Sequence, residues 1–483
     1  MRPVNFARDV VGAAPPGARA LVELRRDGGR REWTFGEVAQ RSGALAGVLA
    51  AGGIGRGDVV LTLVGNRPEW VLTMVACFRL GAVVLPCTEQ LRARDLALRL
   101  AVAGPALIVA DERNADVLRA AGPSCPVIFV PDEELFAGGG GPAPAPVELG
   151  STDPCLITFT SGTAGEPKAV LHAQRYLTGQ AVQAEHWLDA RPADLVWCTA
   201  ASGWSKSARN VFIAPWMRGA AALLHDARFD PVERLDVLAR ERVDVLCMAP
   251  TEYRVIAKRA TLGPVPGLRG LVAAGEALNP EILEVWRDAT GLEIRDGYGQ
   301  TETGQLTGVP AGEAARPGSM GRPLPGVRLW IDDDELVADP RTVPTFFDRY
   351  LGEEAPPQDL WRTGDRVAAD EHGFLFFEGR NDDIIVSAGY RIGPFEVESA
   401  LVSHPAVAEA AVVAAPDDER GAVVRAVVVP RPGYEPSPAL ARTLQEHVKT
   451  QTAPYKYPRI VDFATELPRT TSGKIRRAAL RRT

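Results

Sequence analysis

Short apolar segments alternate with amphipathic ones along the first 130 residues, and this alternation restricts the possible fold more than any other feature of the sequence. Residues 59–64, 82–86 and 106–110 are apolar runs of strand length. Residues 67–80 instead carry apolar side chains at helical spacing, up to Gly81. Strands that alternate with helices predict parallel sheets whose faces are covered by the helices.

The same alternation resumes at Cys155 and continues to about Trp330. The pattern of apolar and polar residues changes near residues 379–382. The last hundred residues have helices and strands of their own, which the pattern predicts at 394–401, 408–414, 423–430 and 439–449. We therefore predict an α/β fold in two domains. A large N-terminal domain, residues 1–380, consists of parallel and mixed sheets layered with helices, and a small α+β domain follows at residues 381–483.

Charge and cysteine content exclude several classes of partner. The net charge of −7 favours neither nucleic acid nor an anionic membrane surface. None of the six cysteines is paired at metal-binding spacing, and no run approaches the roughly 18 apolar residues that a membrane span needs. The first residues also lack the apolar region of a signal peptide. We therefore expect a cytoplasmic enzyme with no nucleic-acid partner and no membrane span.

The strongest local signal is a strand that ends in a turn rich in glycine and hydroxyl groups, at residues 156–168. Glycines let backbone N–H groups approach phosphate oxygens, hydroxyls add donors, and Lys168 supplies positive charge. The turn is not a Walker loop, because only two residues separate its glycines and Pro167 precedes the lysine. The alternative is a polar hairpin turn, which the hydroxyl density and the Pro-Lys ending disfavour.

Further segments carry groups that suit a nucleotide. In residues 295–304, Tyr298 can stack on a base, and Glu302 can hold Mg²⁺, which takes few protein carboxylates together with phosphate oxygens. The carboxylates of residues 361–365 and 377–383 suit a ribose diol. Each of these segments, taken alone, is also compatible with a structural turn.

Lysine is scarce in this chain, with six lysines among 54 basic residues, and one of them is Lys474 in the glycine-containing loop 467–477. The ordinary interpretation of such a segment is a solvated basic tail. A single lysine on a flexible loop, in a chain that otherwise uses arginine, favours a functional role because arginine cannot always replace lysine.

In this order, these segments resemble the acyl-adenylate-forming superfamily of acyl-CoA synthetases, luciferases and peptide-synthetase adenylation domains. The resemblance extends from about Phe35 to Arg477. Residues 203–208, 387–394 and 453–459 make the chain most similar to medium-chain acyl-CoA synthetases. The resemblance implies an ATP-dependent acid:CoA ligase that forms acyl-AMP and pyrophosphate and then exchanges AMP for CoA. It also implies ATP, Mg²⁺ and coenzyme A as cofactors, and we add a homodimer as a hypothesis.

The resemblance further implies which residues form each site. Those for ATP and AMP are Thr160, Ser161, Gly162, Thr163, Ala164, Gly165, Glu166, Pro167, Lys168, Gly275, Glu276, Ala277, Asp296, Gly297, Tyr298, Gly299, Gln300, Thr301, Asp365, Arg380, Arg391 and Lys474. Those for CoA are Gln90, Ala388, Gly389, Tyr390, Arg420, Tyr455, Lys456 and Tyr457. The catalytic residues among them are Lys474, Thr301 and Thr163. Glu302 is the implied Mg²⁺ ligand, and Asp382 is the implied hinge of a mobile small domain.

The sequence departs from the superfamily pattern at three positions. Ala164 replaces a second threonine of the phosphate loop, which we expect to affect ATP affinity more than activity. Ala388 stands where a serine usually precedes the residues of the CoA tunnel. The chain is also short between Asp332 and Leu336, where we expect a trimmed hairpin tip.

Trp204 and Gly299 are the predicted walls of the acyl pocket. The resemblance places Gly299 where acetyl-CoA synthetases have a tryptophan that closes the pocket at two carbons. Each buried methylene contributes about 0.8 kcal/mol, so an open wall predicts a preference for acids of about four to ten carbons or for a compact aromatic acid. The alternative is that Gly299 serves backbone conformation alone.

Three other activities share part of this machinery. A stand-alone adenylation enzyme would load a carrier protein, a luciferase-like oxidase would oxidise the adenylate, and a silent regulator would only bind nucleotide. The CoA-like segments 388–391 and 453–459 favour free CoA over the first two activities. The presence of Lys474, Glu302 and Asp365 disfavours the third.

Lys474→Ala should impair acyl-adenylate formation and leave thioester formation nearly intact. Loss of one donor that stabilises developing charge costs about 3–4 kcal/mol, or roughly two to three orders of magnitude in rate. The measurement compares pyrophosphate release from acid and ATP with thioester formation from supplied acyl-adenylate. Equal damage to both steps would mean that Lys474 is merely structural.

Overall fold

The computed structural model describes residues 4–138, 142–160, 167–276, 278, 280–388, 390–417, 419–469 and 475–481, without the side chains of residues 280 and 391. Several predicted site residues lie outside this description. They are Ser161, Gly162, Thr163, Ala164, Gly165, Glu166, Ala277, Gly389 and Lys474.

A seven-stranded sheet that is parallel except at one edge forms the first layer of the N-terminal body. Only Arg30–Thr34 runs antiparallel to its neighbour. In spatial order the strands are Ile294–Gly297, Gly270–Ala274, Val245–Met248, Leu195–Cys198, Ala221–His225, Arg19–Leu24 and Arg30–Thr34.

A second seven-stranded sheet contains the strands predicted from the first 130 residues. Its first three strands pair antiparallel and the others pair parallel. In spatial order they are Arg349–Tyr350, Ala169–Ala173, Pro154–Phe159, Val83–Pro86, Val59–Leu63, Leu107–Asp111 and Val127–Val130. The predicted parallel α/β layering is therefore confirmed, with strand ends displaced by one residue.

Helices cover these sheets, and their ends follow local sequence signals. The helix Pro68–Leu80 begins with proline and ends at Gly81 in a left-handed conformation (φ 73°), which glycine adopts without strain. In Phe35–Ala51, Thr34 and Glu37 form a capping box. The other helices of the N-terminal body are Ala93–Ala103, Ala115–Ala121, Glu133–Phe136, Gln174–His186, Ala214–Met217, Pro231–Glu241, Pro250–Arg259 and Pro280–Thr290, with shorter turns at Ala7–Val11, Glu112–Asn114, Arg209–Ile213 and Pro340–Thr342.

A four-stranded antiparallel sheet and three short hairpins follow the two large sheets. The sheet contains Leu329–Asp332, Glu335–Ala338, Trp361–Ala369 and Leu375–Arg380, and the hairpins pair Gly299–Gln300 with Gly304–Gln305, Thr307–Gly308 with Arg322–Pro323, and Ile385–Ser387 with Tyr390–Ile392. The tip between Asp332 and Glu335 is a two-residue turn with φ of 52° and 63°, as the shortened sequence predicted.

The last hundred residues form a separate three-stranded sheet with its own core. Val407–Asp417 and Gly421–Pro430 are antiparallel, and Ile460–Phe463 joins the second strand in parallel. The helices are Pro394–Val402, Pro438–Gln451 and Arg477–Leu480, with short turns at Asn381–Asp383 and Pro454–Lys456. The boundary at 380–382 remains a prediction, although Leu375–Arg380 is the last strand of the preceding sheet.

A core of buried side chains joins the two large sheets and supports the helix Arg209–Ile213. It includes residues of both sheets, such as Val84 and Val196. Phe212 packs edge-on against Trp70, with ring centroids 5.6 Å apart, and lies 5.0 Å from Trp216. Among the described residues, no helix is long and apolar enough to cross a membrane.

Gly203 is a point of close approach between the two large sheets. It has a φ of 90°, and a Cβ at this position would lie 2.3 Å from the backbone nitrogen of Thr88, which follows the second sheet's strand Val83–Pro86. The segment after Leu195–Cys198 in the first sheet therefore reaches the second sheet only because residue 203 has no side chain.

Gly203→Ala should lower stability more than a matched glycine substitution. Gly53 also has a positive φ of 89°, but no atom lies within 4 Å of its Cβ position. Gly53→Ala should cost about 1–2 kcal/mol for the backbone conformation alone, and Gly203→Ala should cost roughly 1–3 kcal/mol more for overpacking. The midpoint of thermal unfolding measures both. Equal shifts would contradict the close approach.

Candidate active site

One large cavity, of about 2010 Å³, opens where the strands of both large sheets end. Loops that follow parallel strands gather at the carboxyl edge of a sheet, which is where such folds bind ligands. The predicted site residues that line it are Gln90, Thr160, Lys168, Trp204, Gly275, Glu276, Asp296, Gly297, Tyr298, Gly299, Gln300, Thr301, Glu302, Asp365, Arg380 and Asp382. The structure thus brings together residues that are almost 300 positions apart.

Asp365 is the centre of a hydrogen-bonded group on one wall of the cavity. Its carboxylate accepts hydrogen bonds from the Tyr298 hydroxyl, from Gln300 Nε2 at 2.9 Å and from Arg380 at 3.3 Å. Arg380 faces Asp365 because the two residues are partners across antiparallel strands. Burial, and then the neighbouring carboxylate, hold the pKa of Tyr298 well above its ordinary value, so its hydroxyl remains a donor. This buried carboxylate is placed to accept from a diol.

A second wall carries the segments predicted to flank adenine. The Glu276 carboxylate accepts from the Thr251 hydroxyl at 2.7 Å and lies 3.5 Å from Arg254. Gly275 has a φ of 103°, which turns the chain at the end of the strand Gly270–Ala274. Asp296 is buried, and desolvation raises its pKa well above the usual range.

Thr160 and Lys168 close the neck of the predicted phosphate loop. The backbone N–H of Thr160 donates to the Lys168 carbonyl, and the Lys168 N–H donates to the Thr160 hydroxyl, both at 2.9 Å. The Lys168 ammonium lies 3.0 Å from Glu353 and 4.4 Å from the ring centre of Tyr350. Pro167 precedes Lys168 at this neck, and residues 161–166 lie outside the described structure.

Glu302 is suited to hold Mg²⁺ next to phosphates. It lines the cavity beside Thr301, and its carboxylate accepts from the Tyr350 hydroxyl at 2.9 Å. Within the described residues, no group of three or more His, Cys, Asp or Glu side chains could hold a metal by itself. A single carboxylate fits Mg²⁺, which completes its coordination with phosphate oxygens and water.

The C-terminal domain contributes the segments on either side of Lys474 to the same cavity. Arg469, Ile475 and Arg477 all line it. Arg477 is fixed by Glu398, which accepts two hydrogen bonds from it at 2.8 Å. Lys474 itself lies outside the described residues.

Most residues predicted for CoA lie together on the C-terminal domain, away from this cavity. Tyr390 stacks on Tyr455, with ring centroids 4.3 Å apart, and the Ala388 N–H donates to the Arg420 carbonyl at 3.1 Å. Lys456 pairs with Glu396, and Tyr457 lies under Lys449 and Arg459; Arg391 belongs to the strand that contains Tyr390. Of the described CoA residues, only Gln90 lines the cavity.

Gly299 lies in the cavity wall, and its position also leaves no room for a side chain. A Cβ at Gly299 would lie 1.9 Å from the carbonyl oxygen of Gly304, because the two residues belong to the facing strands of one tight hairpin. The backbone therefore has its own need for this glycine, and the role of Gly299 as an open wall of the acyl pocket stays a prediction. Trp204 does line the cavity.

Two residues at the site were missed by the sequence interpretation. Tyr350 donates to Glu302 from a short edge strand that has no apolar pattern. Arg209 lines the cavity although it is buried. Its only sequence signal is a charged residue two positions ahead of the apolar run 211–217.

Family models match nearly the whole chain. The model of the AMP-binding enzyme matches residues 8–344, and the model of the AMP-binding enzyme C-terminal domain matches residues 396–474. The chain belongs to the AMP-binding enzyme family. Accordingly it is an AMP-forming acid–thiol ligase that uses ATP, Mg²⁺ and CoA.

Individual relatives agree with this assignment over their full lengths. The human mitochondrial acyl-coenzyme A synthetase ACSM4 is 39% identical, and the match covers 99% of this chain and 90% of that protein. A benzoate CoA ligase from Burkholderia xenovorans LB400 is 26% identical with a TM-score of 0.89, covering 99% of this chain and 100% of that one. ATP-bound MatB from Rhodopseudomonas palustris is 26% identical with a TM-score of 0.88, covering 99% and 98%.

Gly299→Trp should reduce activity on acids of all lengths alike. The added side chain must displace the backbone of Gly304, so the whole hairpin that carries Gln300 and Thr301 would move. AMP release measured with acetate and with hexanoate tests this, with Gly299→Ala as a smaller substitution at the same position. A variant that loses hexanoate activity and retains acetate activity would support the open-wall hypothesis.

Proposed function

We propose that the chain converts a carboxylic acid of about four to ten carbons, or a compact aromatic acid, into its CoA thioester through acyl-AMP, with free CoA as the acceptor. The observation that carries this proposal is the shared cavity. It contains the buried Asp365 group, the neck of the phosphate loop, Glu302 and both flanks of the Lys474 loop. The name of ACSM4 supports an acyl-CoA synthetase, and the name of the benzoate CoA ligase supports an aromatic acid as one possible substrate.

The main obstacle to the first half-reaction is the negative charge on both reactants. A carboxylate, already ionised at neutral pH, attacks the α-phosphorus of ATP, so no general base is required and two anions must be brought together. In the proposal, Lys168 and Lys474 lower this repulsion, and Asp365 holds the ribose. Glu302 would hold Mg²⁺, which supplies positive charge to the phosphate oxygens.

The second half-reaction requires a different face of the small domain. In the described arrangement the flanks of Lys474 line the cavity, and Tyr390 and Tyr455 lie away from it. We propose that the small domain turns about Asp382, exchanging the lysine loop for the CoA segment, as hinged domains do. The Asp382 side chain is half-exposed and its backbone carbonyl accepts only from Arg481, at 2.9 Å, among described donors.

Asp382→Pro should separate the two half-reactions in the direction opposite to Lys474→Ala. Proline fixes φ near −65° and so restricts rotation at this residue. Pyrophosphate release from acid and ATP should persist, and thioester formation should fall by at least about tenfold. Asp383→Pro is the neighbouring control. Unchanged CoA transfer in Asp382→Pro would move the hinge elsewhere.

The function itself is tested with a panel of acids of graded length and with benzoate. The expected result is AMP production that depends on acid, ATP and CoA together, with pyrophosphate but little free AMP when CoA is omitted. Equal AMP release with and without CoA would contradict free CoA as the acceptor. Transfer to a carrier protein's pantetheine but not to CoA would favour the stand-alone adenylation enzyme.

Location and assembly remain proposals. We keep the cytoplasmic location expected from the sequence, although the human relative is named as mitochondrial. We also keep the homodimer as a hypothesis. Cell fractionation and light scattering of the purified protein test them separately.

A further inference from the structure

Arg209 is a buried cation in the wall of the active-site cavity. It is the first residue of the helix Arg209–Ile213 and is only 5% exposed. Trp204 and Lys206, which precede it in the sequence, line the same cavity. Its helix is anchored by Phe212, which packs between Trp70 and Trp216. The position of the guanidinium therefore depends on the rigid core that joins the two sheets.

The described structure supplies no anion to this guanidinium. No Asp or Glu side chain among the described residues forms an ion pair with it, and its Nε is buried without a hydrogen-bond acceptor. In contrast, Arg175 on the adjacent helix lies 3.9 Å from the Asp348 carboxylate and also donates to the Phe347 carbonyl at 3.0 Å. A buried charge is normally paired, so the exception at Arg209 requires an explanation.

The side chains around Arg209 are polar but neutral. His172 is fully buried and both its ring nitrogens lack partners; desolvation, and then the charge of Arg209, lower its pKa to about 3. Tyr176 packs on His172, with ring centroids 4.1 Å apart. Buried Ser207 and Asn210 beside it in sequence also retain unpartnered polar atoms.

The guanidinium lies directly under the hairpin that carries Gly299 to Gly304. A Cβ at Gly304 would be 3.5 Å from its Nη1, and Gly304 has a φ of 70°. At 3.5 Å such a Cβ would be in ordinary van der Waals contact with the guanidinium, and the group that it would crowd is the Thr345 hydroxyl at 2.7 Å. Arg209 thus lines the same cavity as Trp204 and the hairpin, next to Gly304.

This arrangement has a consequence for the acid that binds. Water in the cavity can solvate the guanidinium when no acid is bound. An acid with a purely apolar chain that reached this wall would expel that water and leave a buried charge unpaired, which is costly. A carboxylate at the far end of the chain would instead form a bidentate, charge-assisted pair.

We propose that Arg209 selects acids that carry a second carboxylate at the end remote from the one that is activated, such as aliphatic or aromatic dicarboxylic acids. The inference rests on the proposed function and names the substrate class of the same site. Arg209 is a specificity-determining residue in this account, since it contacts the distal group and takes no part in the transfer of AMP.

Matched pairs of acids test the proposal on the full-length protein. Adipate is compared with hexanoate, suberate with octanoate, and terephthalate with benzoate, with kcat/KM for AMP production as the readout. We expect at least one dicarboxylate to exceed its monocarboxylate partner by about 30-fold or more, because loss of one member of a buried charge pair has effects of this size or larger.

Three variants make the test specific. Arg209→Met, which removes the charge and keeps the unbranched stem as far as the position of Nε, should lose the preference for the dicarboxylate and gain activity on the monocarboxylate. Arg209→Lys should retain a reduced preference, because a lysine cannot form the bidentate contact. Arg175→Met is the control, because it removes a nearby guanidinium that already has its own carboxylate and should leave the preference unchanged.

Binding provides a readout independent of turnover. Calorimetric titration of each acid in the presence of a non-hydrolysable ATP analogue should show tighter binding of the dicarboxylate to wild type than to Arg209→Met. Unfolding midpoints establish whether the variants are folded. If Arg209→Met does not fold, the acid pairs on the wild type and the Arg209→Lys variant test the proposal by themselves.

The remaining outcomes overturn the proposal in distinguishable ways. Wild-type preference for monocarboxylates in every pair would refute the distal carboxylate and leave the ligase function intact. An equal loss on both acids of each pair in Arg209→Met would place Arg209 at the reacting carboxylate instead. No AMP from any acid would contradict the proposed function itself.

Discussion

The buried carboxylate of Asp365 holds together the part of the molecule on which nucleotide chemistry depends. It accepts hydrogen bonds from Tyr298 and Gln300 on the loop after the first large sheet, and from Arg380 at the end of the four-stranded sheet. Removing one partner of such a buried network leaves desolvated polar groups behind, which costs more than the bond itself contributes. These hydrogen bonds tie the loop after the first large sheet to the four-stranded sheet at the wall of the cavity.

The cations around the cavity differ in whether they have a carboxylate partner, and this difference parallels the roles proposed for them. Cations with carboxylate partners, such as Arg477 with Glu398, form ion pairs within the protein and are assigned a structural role. Arg209 has no carboxylate partner among the described residues and lies where a ligand is expected to enter. Lys168 is intermediate, because its pairing with Glu353 is exposed and can be exchanged for phosphate at little cost.

Much of the fold and of the nucleotide site was predictable, because both depend on patterns local in sequence. The helix Pro68–Leu80 and the strand Val59–Leu63 follow from periodicity, and Asp365 and Glu302 stand in recognisable segments. The close contact between Gly299 and Gly304 could not be predicted, because it depends on the pairing of a hairpin, which periodicity does not report. Arg209 and Tyr350 were missed because only tertiary packing brings them to the cavity, Tyr350 next to Glu302 and Arg209 next to Gly304.

The position of Arg380 has a thermodynamic consequence for the cycle. One guanidinium lies 3.3 Å from the carboxylate of Asp365 and 3.8 Å from that of Asp382, so the carboxylate proposed to hold the ribose and the proposed hinge share a single cationic partner. A rotation about the proposed hinge that displaces Arg380 would change its distance to both carboxylates. By linkage, a ribose-bearing ligand that binds one orientation of the small domain more tightly shifts the domain toward that orientation. The orientation of the domain in turn changes the affinity for that ligand by the same factor. The bound nucleotide would then determine when the small domain rotates, and release of AMP would return the domain to its starting orientation.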